Sequence, residues 1–262
     1  MDTAERNALT GALRTMMETT SGSALDRAAA EFGWADLLTE LPDVAIPTVF
    51  ELLGWTGAHA PLLNDVVLDA AGRELGGTLP LPYAGGTWVV WDRDDGPSAA
   101  LDDELPLRQV ESGEPVPLAA GRVAVGWWLL GIGRTMLDLA RAHALERLQF
   151  GRPIASFQAV RHKLADTVVA LDGAEATLVA AHAHDDLAAL LAKAAAGHAA
   201  LTAARHCQQV LGGMGFTAEH SLHRHIRRAL VLDGLLGSAR ELTREAGELL
   251  LETRSAPRLI NL

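Results

Sequence analysis

QVLGGMGFTAEHSLHRHIRRA, residues 209–229, joins the end of an alanine- and leucine-rich run to a short basic segment through Gly212, Gly213 and Gly215. A helix that meets glycines in this way ends there, and the TAEHS run at 217–221 reads as a turn into a short helix through Leu232. The three glycines leave backbone amides uncovered, so a phosphate or a ribityl chain can approach closely. Gln209 supplies a neutral amide that both donates and accepts. A second stretch, RLQFGRPIASFQAVRHKLAD at 147–166, complements it. Arg147 closes a helix and offers a fixed fork of donors suited to a pyrophosphate. Phe150 offers a flat apolar face, and Gln158 a second neutral amide. An arginine at a helix C-terminus also complements the dipole, and Gly-Gly also caps a helix, so order and spacing carry the functional reading.

Working outward, the sequence reads as mainly α. Residues 4–18 and 22–40 pattern as amphipathic helices separated by TTSGS, Pro47 opens a helical stretch through Leu53, and Pro61 opens another through Leu75. Residues 76–121 change character. Gly, Pro and Asp become frequent, TWVVWD has the bias of a strand, and LRQVE reads as a second short one. From Val123 four long helical segments follow, to about Phe150, from Phe157 to about His182, from Asp186 to Leu211, and from Ser238 to Thr253. The expected organisation is an N-terminal helical region (1–75), a shortened β-containing segment (76–121) and a C-terminal four-helix bundle (122–262).

Composition sets outer limits. The 262 residues are 49% hydrophobic and only 5% aromatic, which favours helices that bury a real core. A formal net charge of −11 argues against nucleic acid or an anionic membrane as the main partner. The lone Cys207 excludes an internal disulfide and fits a reducing, cytoplasmic setting. The opening MDTAERNALTGALRTMME has acids and no apolar h-region, so no signal peptide is expected, and no unbroken apolar run approaches the roughly 18 residues of a membrane span.

The two quoted stretches resemble the C-terminal domain of the flavin-dependent acyl-CoA dehydrogenases. That family carries Arg-x-x-Phe-Gly-x-x-Ile/Leu-x-x-(Phe)-Gln after its first long C-terminal helix. It carries Gln-x-Leu-Gly-Gly-x-Gly-(Phe/Tyr) before a short basic helix. Both motifs occur here in order, and the resemblance is close across 123–250 and loose across 1–75. It implies the acyl-CoA dehydrogenase fold and FAD as cofactor. Arg147, Phe150, Gln158, Gln209, Val210, Leu211, Gly212, Gly213 and Ser238 are the implied FAD contacts. Most of them would reach the ADP half across a subunit interface.

The chain also departs from the family. A working member needs a carboxylate that removes the α-proton of a bound acyl-CoA while the flavin takes the β-hydride. In most members it begins a Glu-Gly-Thr triplet, which falls here on Leu236-Gly237-Ser238 when counted from Arg227-Arg228-Ala229. A minority place the base near the start of the first C-terminal helix, which falls on Gly121, followed by Arg122. Neither leucine nor glycine accepts a proton, so no catalytic residue is assigned. Residues 76–121 are also too few for the family's closed middle barrel. These losses resemble the base-less, shortened subunit of heterotetrameric (α2β2) actinobacterial enzymes of steroid side-chain catabolism. The resemblance implies a longer catalytic subunit as partner, an acyl-CoA substrate and electron-transfer flavoprotein as acceptor.

Two further readings stay open. Asp233 and Glu241 flank the missing base and are the candidates for a relocated one in a self-sufficient enzyme. A scaffold subunit without flavin is the third reading. The clusters His182-x-His184-Asp185-Asp186 and His220-x-x-His223-x-His225 invite a metal, but residues two apart on a helix diverge by about 200°, so no metal ligand is assigned. Asp185 and Asp186 read as helix N-terminal acids. Trp127 and Trp128 read as core or subunit interface, and Cys207 as a buried, inert thiol.

Overall fold

The computed structural model describes residues 2–94, 102, 104–181 and 185–254, and the mainly α reading holds. Helix α1 (Thr3–Thr19) starts on a capping box, in which Asp2 accepts from the Glu5 amide and Glu5 accepts from the Asp2 amide, each at 2.8 Å. The single helix expected over 22–40 is two, α2 (Ser23–Phe32) and α3 (Trp34–Glu40). Gly33 separates them with φ 93°, a left-handed conformation that glycine adopts without penalty.

Pro47 does not open a helix. It lies inside α4 (Pro42–Thr56), whose first residue is Pro42. The ring at 47 costs one backbone bond, offset by a fully engaged apolar face of Ala45, Ile46, Val49, Phe50 and Leu53. Helix α5 (Leu62–Ala70) ends five residues short of the expected Leu75. The chain there is turned back, and the Gly76 amide donates to buried Asp65 at 2.8 Å. Arg93 adds a bond to Asp65 at 2.5 Å and a two-armed contact to Asp26, which ties α2 and α5 to the middle segment.

The middle segment forms one antiparallel sheet, β1 (Pro80–Tyr83), β2 (Thr87–Trp91) and β3 (Leu107–Val110), in that spatial order. Both expected strands are present. Strand β1 carries no such signal because Pro80 and Pro82 cannot donate to a ladder, yet proline is tolerated at the sheet edge that β1 occupies.

Helices α6 (Ala119–Glu146), α7 (Gln158–Ala180), α8 (Asp186–Leu211), α9 (Leu222–Gly234) and α10 (Ala239–Thr253) complete the chain. Helix α6 begins four residues before the expected Val123. It is buried from Ala119 to Gly121 and again, without a break, from Val123 to Gly133. Helix α4 crosses it where both helices carry glycine: a β-carbon on Gly131 would strike the Glu51 carbonyl oxygen. The aromatic core runs from Trp34 through Phe50 to Trp128, which stacks on Trp91 at 5.6 Å. Trp127 is buried beside it, so both tryptophans belong to the core. By length and composition α6 and the Asp186–Phe216 segment could each cross a membrane, although neither contains an unbroken apolar run of about 18 residues; 72% and 67% of those windows are buried inside the fold.

Candidate functional site

The residues singled out in the sequence fall into two places. Helix α6 ends at Arg147, a short hairpin of β4 (Leu148–Gln149) and β5 (Arg152–Pro153) follows, and α7 begins at Gln158. Phe150 and Gly151 turn the hairpin with φ 52° and 77°, which leaves the Phe150 ring 91% exposed and edge-on to Phe157 at 6.1 Å. Helices α7 and α8 are joined near this end. Thr167 and His206 hydrogen-bond at 3.0 Å, and His206 meets the Lys163 carbonyl at 3.1 Å. Gln158 and Gln209 therefore lie toward the same end of the bundle, both exposed. The Arg147 side chain is exposed and makes no hydrogen bond or ion pair to a described residue.

Helix α8 ends at Leu211, and the turn Gly212–Phe216 follows. A β-carbon on Gly212 or Gly213 would meet nothing within 4 Å, so the backbone there is open to a ligand. At Gly215 it would strike the Gln208 carbonyl oxygen at 2.6 Å, so that glycine serves the turn itself. The side chains of Val210 and Leu211 are buried in the core and offer a ligand only their backbone. An unpaired guanidinium, an exposed ring, two free amides and an open glycine backbone fit the phosphate and adenosine parts of a dinucleotide.

Ser238 does not join this group. It lies beside Lys193, sixteen residues before Gln209 on α8, or about 24 Å along the helix. Its hydroxyl already serves as the N-cap of α10 in a capping box with Glu241. The Glu241 carboxylate accepts the Gly85 amide at 2.8 Å, the Ser238 amide at 2.9 Å and the Ser238 hydroxyl at 2.7 Å. These bonds, the Gly85 amide first, hold its pKa down at about 2. Asp233 is engaged as well, accepting the Ala239 amide at 3.1 Å. Both carboxylates that flank Leu236 thus build the start of α10.

Leu236 itself is sealed from solvent. Leu236 is fully buried and holds φ 61°, a left-handed conformation that costs a branched residue about 1 kcal/mol. Its amide donates to the Pro82 carbonyl at 2.8 Å, and Leu235 bridges to Tyr83, so the β1–β2 hairpin covers the loop. Gly121 stands directly behind: a β-carbon there would lie 2.8 Å from Val67 Cγ2 and 2.9 Å from Leu236 Cδ1. Arg122, half-buried, donates to the Leu236 carbonyl at 3.3 Å and pairs with Glu245 at 3.5 Å. Burial, the larger effect, lowers its pKa against the opposing pull of Glu245.

One side chain that holds this loop, from α8, was missed in the sequence. Lys193 is fully buried, and its ammonium donates to the Asp233 carbonyl at 2.7 Å and to the Gly237 carbonyl. Desolvation pushes its pKa down to about 7, partly countered by Asp233. A lysine set among alanines in ALLAKAAAG was the available signal, since a helix face this apolar has no other reason to carry a cation.

His182 and His184 lie outside the described residues; Asp185 caps α8, accepting the Ala188 amide at 3.0 Å. Among the described residues no three His, Cys, Asp or Glu side chains converge on a common point. His225 is instead held at a pKa of about 4 by burial and by Arg228 and Arg224. Cys207 is buried, and desolvation raises its thiol to about 12.

Residues 116–247 match the model of the acyl-CoA dehydrogenase C-terminal domain. The chain is 36% identical over 257 residues to the acyl-CoA dehydrogenase IpdE2 of Mycolicibacterium smegmatis, covering 82% of this chain and 80% of that protein. It is 38% identical over 192 residues to the acyl-CoA dehydrogenase FadE34 of Mycobacterium tuberculosis, covering 64% of this chain and 27% of FadE34. The chain therefore spans little more than a quarter of that longer relative. Among solved structures, the Tcur3481-Tcur3483 steroid ACAD G363A variant aligns with a TM-score of 0.75 at 20% identity, covering 97% of this chain and 99% of that one. The ChsE4-ChsE5 complex of Mycobacterium tuberculosis aligns with a TM-score of 0.69 at 20% identity, covering 98% and 99%.

Proposed function

The chain belongs to the acyl-CoA dehydrogenase family, and on that premise we propose that it is the base-less, shortened subunit of a heteromeric FAD-dependent acyl-CoA dehydrogenase. The observation that carries this reading is the contact of Leu236 with Gly121. Both positions at which the family keeps its base are apolar, packed against each other and closed off by the β1–β2 hairpin. The neighbouring carboxylates, Asp233 and Glu241, are tied to the first turn of α10, which leaves neither as a free proton acceptor.

In this reading a longer subunit supplies the catalytic glutamate, and FAD, when bound, accepts the β-hydride. This chain binds and orients. Arg147 would hold the pyrophosphate, Phe150 would cover an apolar part of the cofactor, and Gln158 and Gln209 would hold the adenosine half. Gly212 and Gly213 give that half close access to the backbone. The bundle (122–262) is the part that docks. The N-terminal region (1–75) supports it, and the shortened segment (76–121) seals the redundant base loop. The substrate is an acyl-CoA thioester, with a steroid side-chain CoA as the favoured class because the steroid ACAD named above shares the fold over nearly the whole chain. Electron-transfer flavoprotein is the acceptor, and the setting is cytoplasmic, in an α2β2 assembly.

The test is co-expression with a longer acyl-CoA dehydrogenase chain that carries its glutamate. The expected product is a two-chain complex with a flavin spectrum, which Arg147→Ala and Gln209→Ala strip of flavin without dissolving the complex. Flavin content unchanged in both variants contradicts the assignment.

A further inference from the structure

Two histidines, His143 and His220, stand beside Arg147. Helix α9 runs back along α6. Leu236, just past the end of α9, lies against Gly121 near the start of α6, and Ser221, His225 and Arg228 share a small cavity with Ile132 further along. His220, just before α9, therefore falls beyond Ile132, toward the end of α6. His143 lies there, in the last turn of α6 and one turn before Arg147, whose amide donates to the His143 carbonyl at 2.9 Å. The turn Gly212–Phe216, with its backbone open at Gly212 and Gly213, leads from α8 toward His220.

The two rings differ in what they offer. His220 Nδ1 accepts the Leu222 amide at 3.1 Å, so the proton of the neutral ring sits on Nε2 and makes that nitrogen a donor. His143 is half-buried, and its pKa lies below the ordinary imidazole value. Burial is the larger cause, His220 and Arg147 add repulsion, and Glu146 on the same helix opposes them. An anion held among these groups cancels the repulsion and so favours a proton on His143. Elsewhere in the fold arginines are paired: Arg134, Arg224 and Arg228 each meet a carboxylate. No described carboxylate comes to Arg147.

We propose that His143, Arg147 and His220 form one anion site, which binds its ligand with uptake of a proton at His143. The ligand class is a diphosphate diester, whose charge stays constant across the histidine range. Its identification with the diphosphate of the flavin rests on the function proposed above; the site itself does not. Affinity rises as pH falls through the histidine range, because the bound state holds the proton more tightly.

Sulfate is the probe for the site, since its charge is likewise fixed. NMR titration of the His143 ring protons in this chain alone, in sulfate against chloride at equal ionic strength, reads it. Sulfate is expected to raise the His143 midpoint by at least about half a pH unit, and Arg147→Ala to abolish that rise. Flavin titrated into the two-chain complex reads the ligand. Its dissociation constant is expected to fall at least about fivefold from about pH 8 to about pH 5.5, and to stay level within about twofold in His143→Gln. His220→Asp keeps an acceptor for the Leu222 amide but sets an anion in the site, so it weakens flavin binding at least about tenfold at every pH. All three residues are exposed or half-buried, so thermal melts that match the parent separate these losses from unfolding. A His143 midpoint indifferent to sulfate overturns the proposal, as does flavin affinity that needs Arg147 yet stays level with pH. Sulfate that moves His143, beside flavin affinity indifferent to both pH and Arg147→Ala, upholds the anion site and sinks the flavin reading alone.

Discussion

Leu236 Cδ1 lies 2.9 Å from the point where a β-carbon on Gly121 would stand. The two residues are 115 positions apart in the chain by their numbers, yet they are the two positions on which the resemblance to the family places a base. Their contact makes the two positions one packing arrangement: leucine fills the space that a side chain at 121 would need. Val67 and Leu63 complete the apolar wall.

Returning a carboxylate to this place should therefore cost stability. Leu236→Glu puts an unpaired charge among Val67, Leu63 and the α6 backbone, and is expected to destabilise by about 3–5 kcal/mol. Urea unfolding measures it. A variant as stable as the parent would mean that the loop opens freely to water.

Lys193 holds that loop through two backbone carbonyls. Lys193→Met leaves both unsatisfied and is expected to cost about 2–4 kcal/mol. The pH dependence is distinctive. The folded pKa, about 7, lies below the ordinary 10.5, so the unfolded chain binds the proton more tightly. This group therefore makes stability rise from about pH 7 to 10.5, and Lys193→Met removes that rise. Denaturant midpoints at a series of pH values give the comparison.

His225 acts lower on the scale. Its folded pKa of about 4 lies below the ordinary 6.5, because burial and the flanking Arg228 and Arg224 oppose its charge. Unfolding captures a proton between those values, so stability falls as pH drops from 6.5 toward 4. His225→Gln should flatten that part of the profile. Glu241, with its pKa depressed from 4.5 to about 2, adds a loss of stability as pH falls between those values, and Glu241→Gln should blunt it.

Much of this was legible beforehand. The bounds of α8, the extent of α10 to within one residue and the expected strands β2 and β3 follow from glycine turns, helical periodicity and the β-branched and aromatic residues of the strands. The break at Gly33 and the continuation of α4 through Pro47 were not legible. The first depends on one backbone angle, and the second on tertiary packing that outweighs a lost hydrogen bond. At the site, the motifs single out Arg147, Phe150, Gln158 and Gln209, which are exposed, whereas Ser238, carried from the separate Leu236-Gly237-Ser238 triplet, lies far from Gln209 as the cap of α10. Motif spacing carries no information about which end of a long helix a later loop returns to. The Lys193 clamp was hidden for a related reason, since its acceptors are backbone carbonyls about forty residues away, which no side-chain motif records.

At the other end of the bundle, Arg147→Ala should change flavin binding and little else. The guanidinium is exposed and makes no ion pair with a described residue, so the melting temperature should stay within about 1–2 °C of the parent. The flavin dissociation constant of the complex should rise at least about tenfold, the loss of one charge-assisted phosphate contact. Fluorescence of released flavin reads it directly.

The most direct test of the central claim is turnover with an acyl-CoA and a dye acceptor, measured for this chain alone, for the two-chain complex, and for the complex with the longer subunit's glutamate changed to glutamine. The account predicts no turnover from this chain alone, turnover from the complex, and its loss in the glutamine variant. Acyl-CoA oxidation by this chain purified alone with stoichiometric flavin would contradict it.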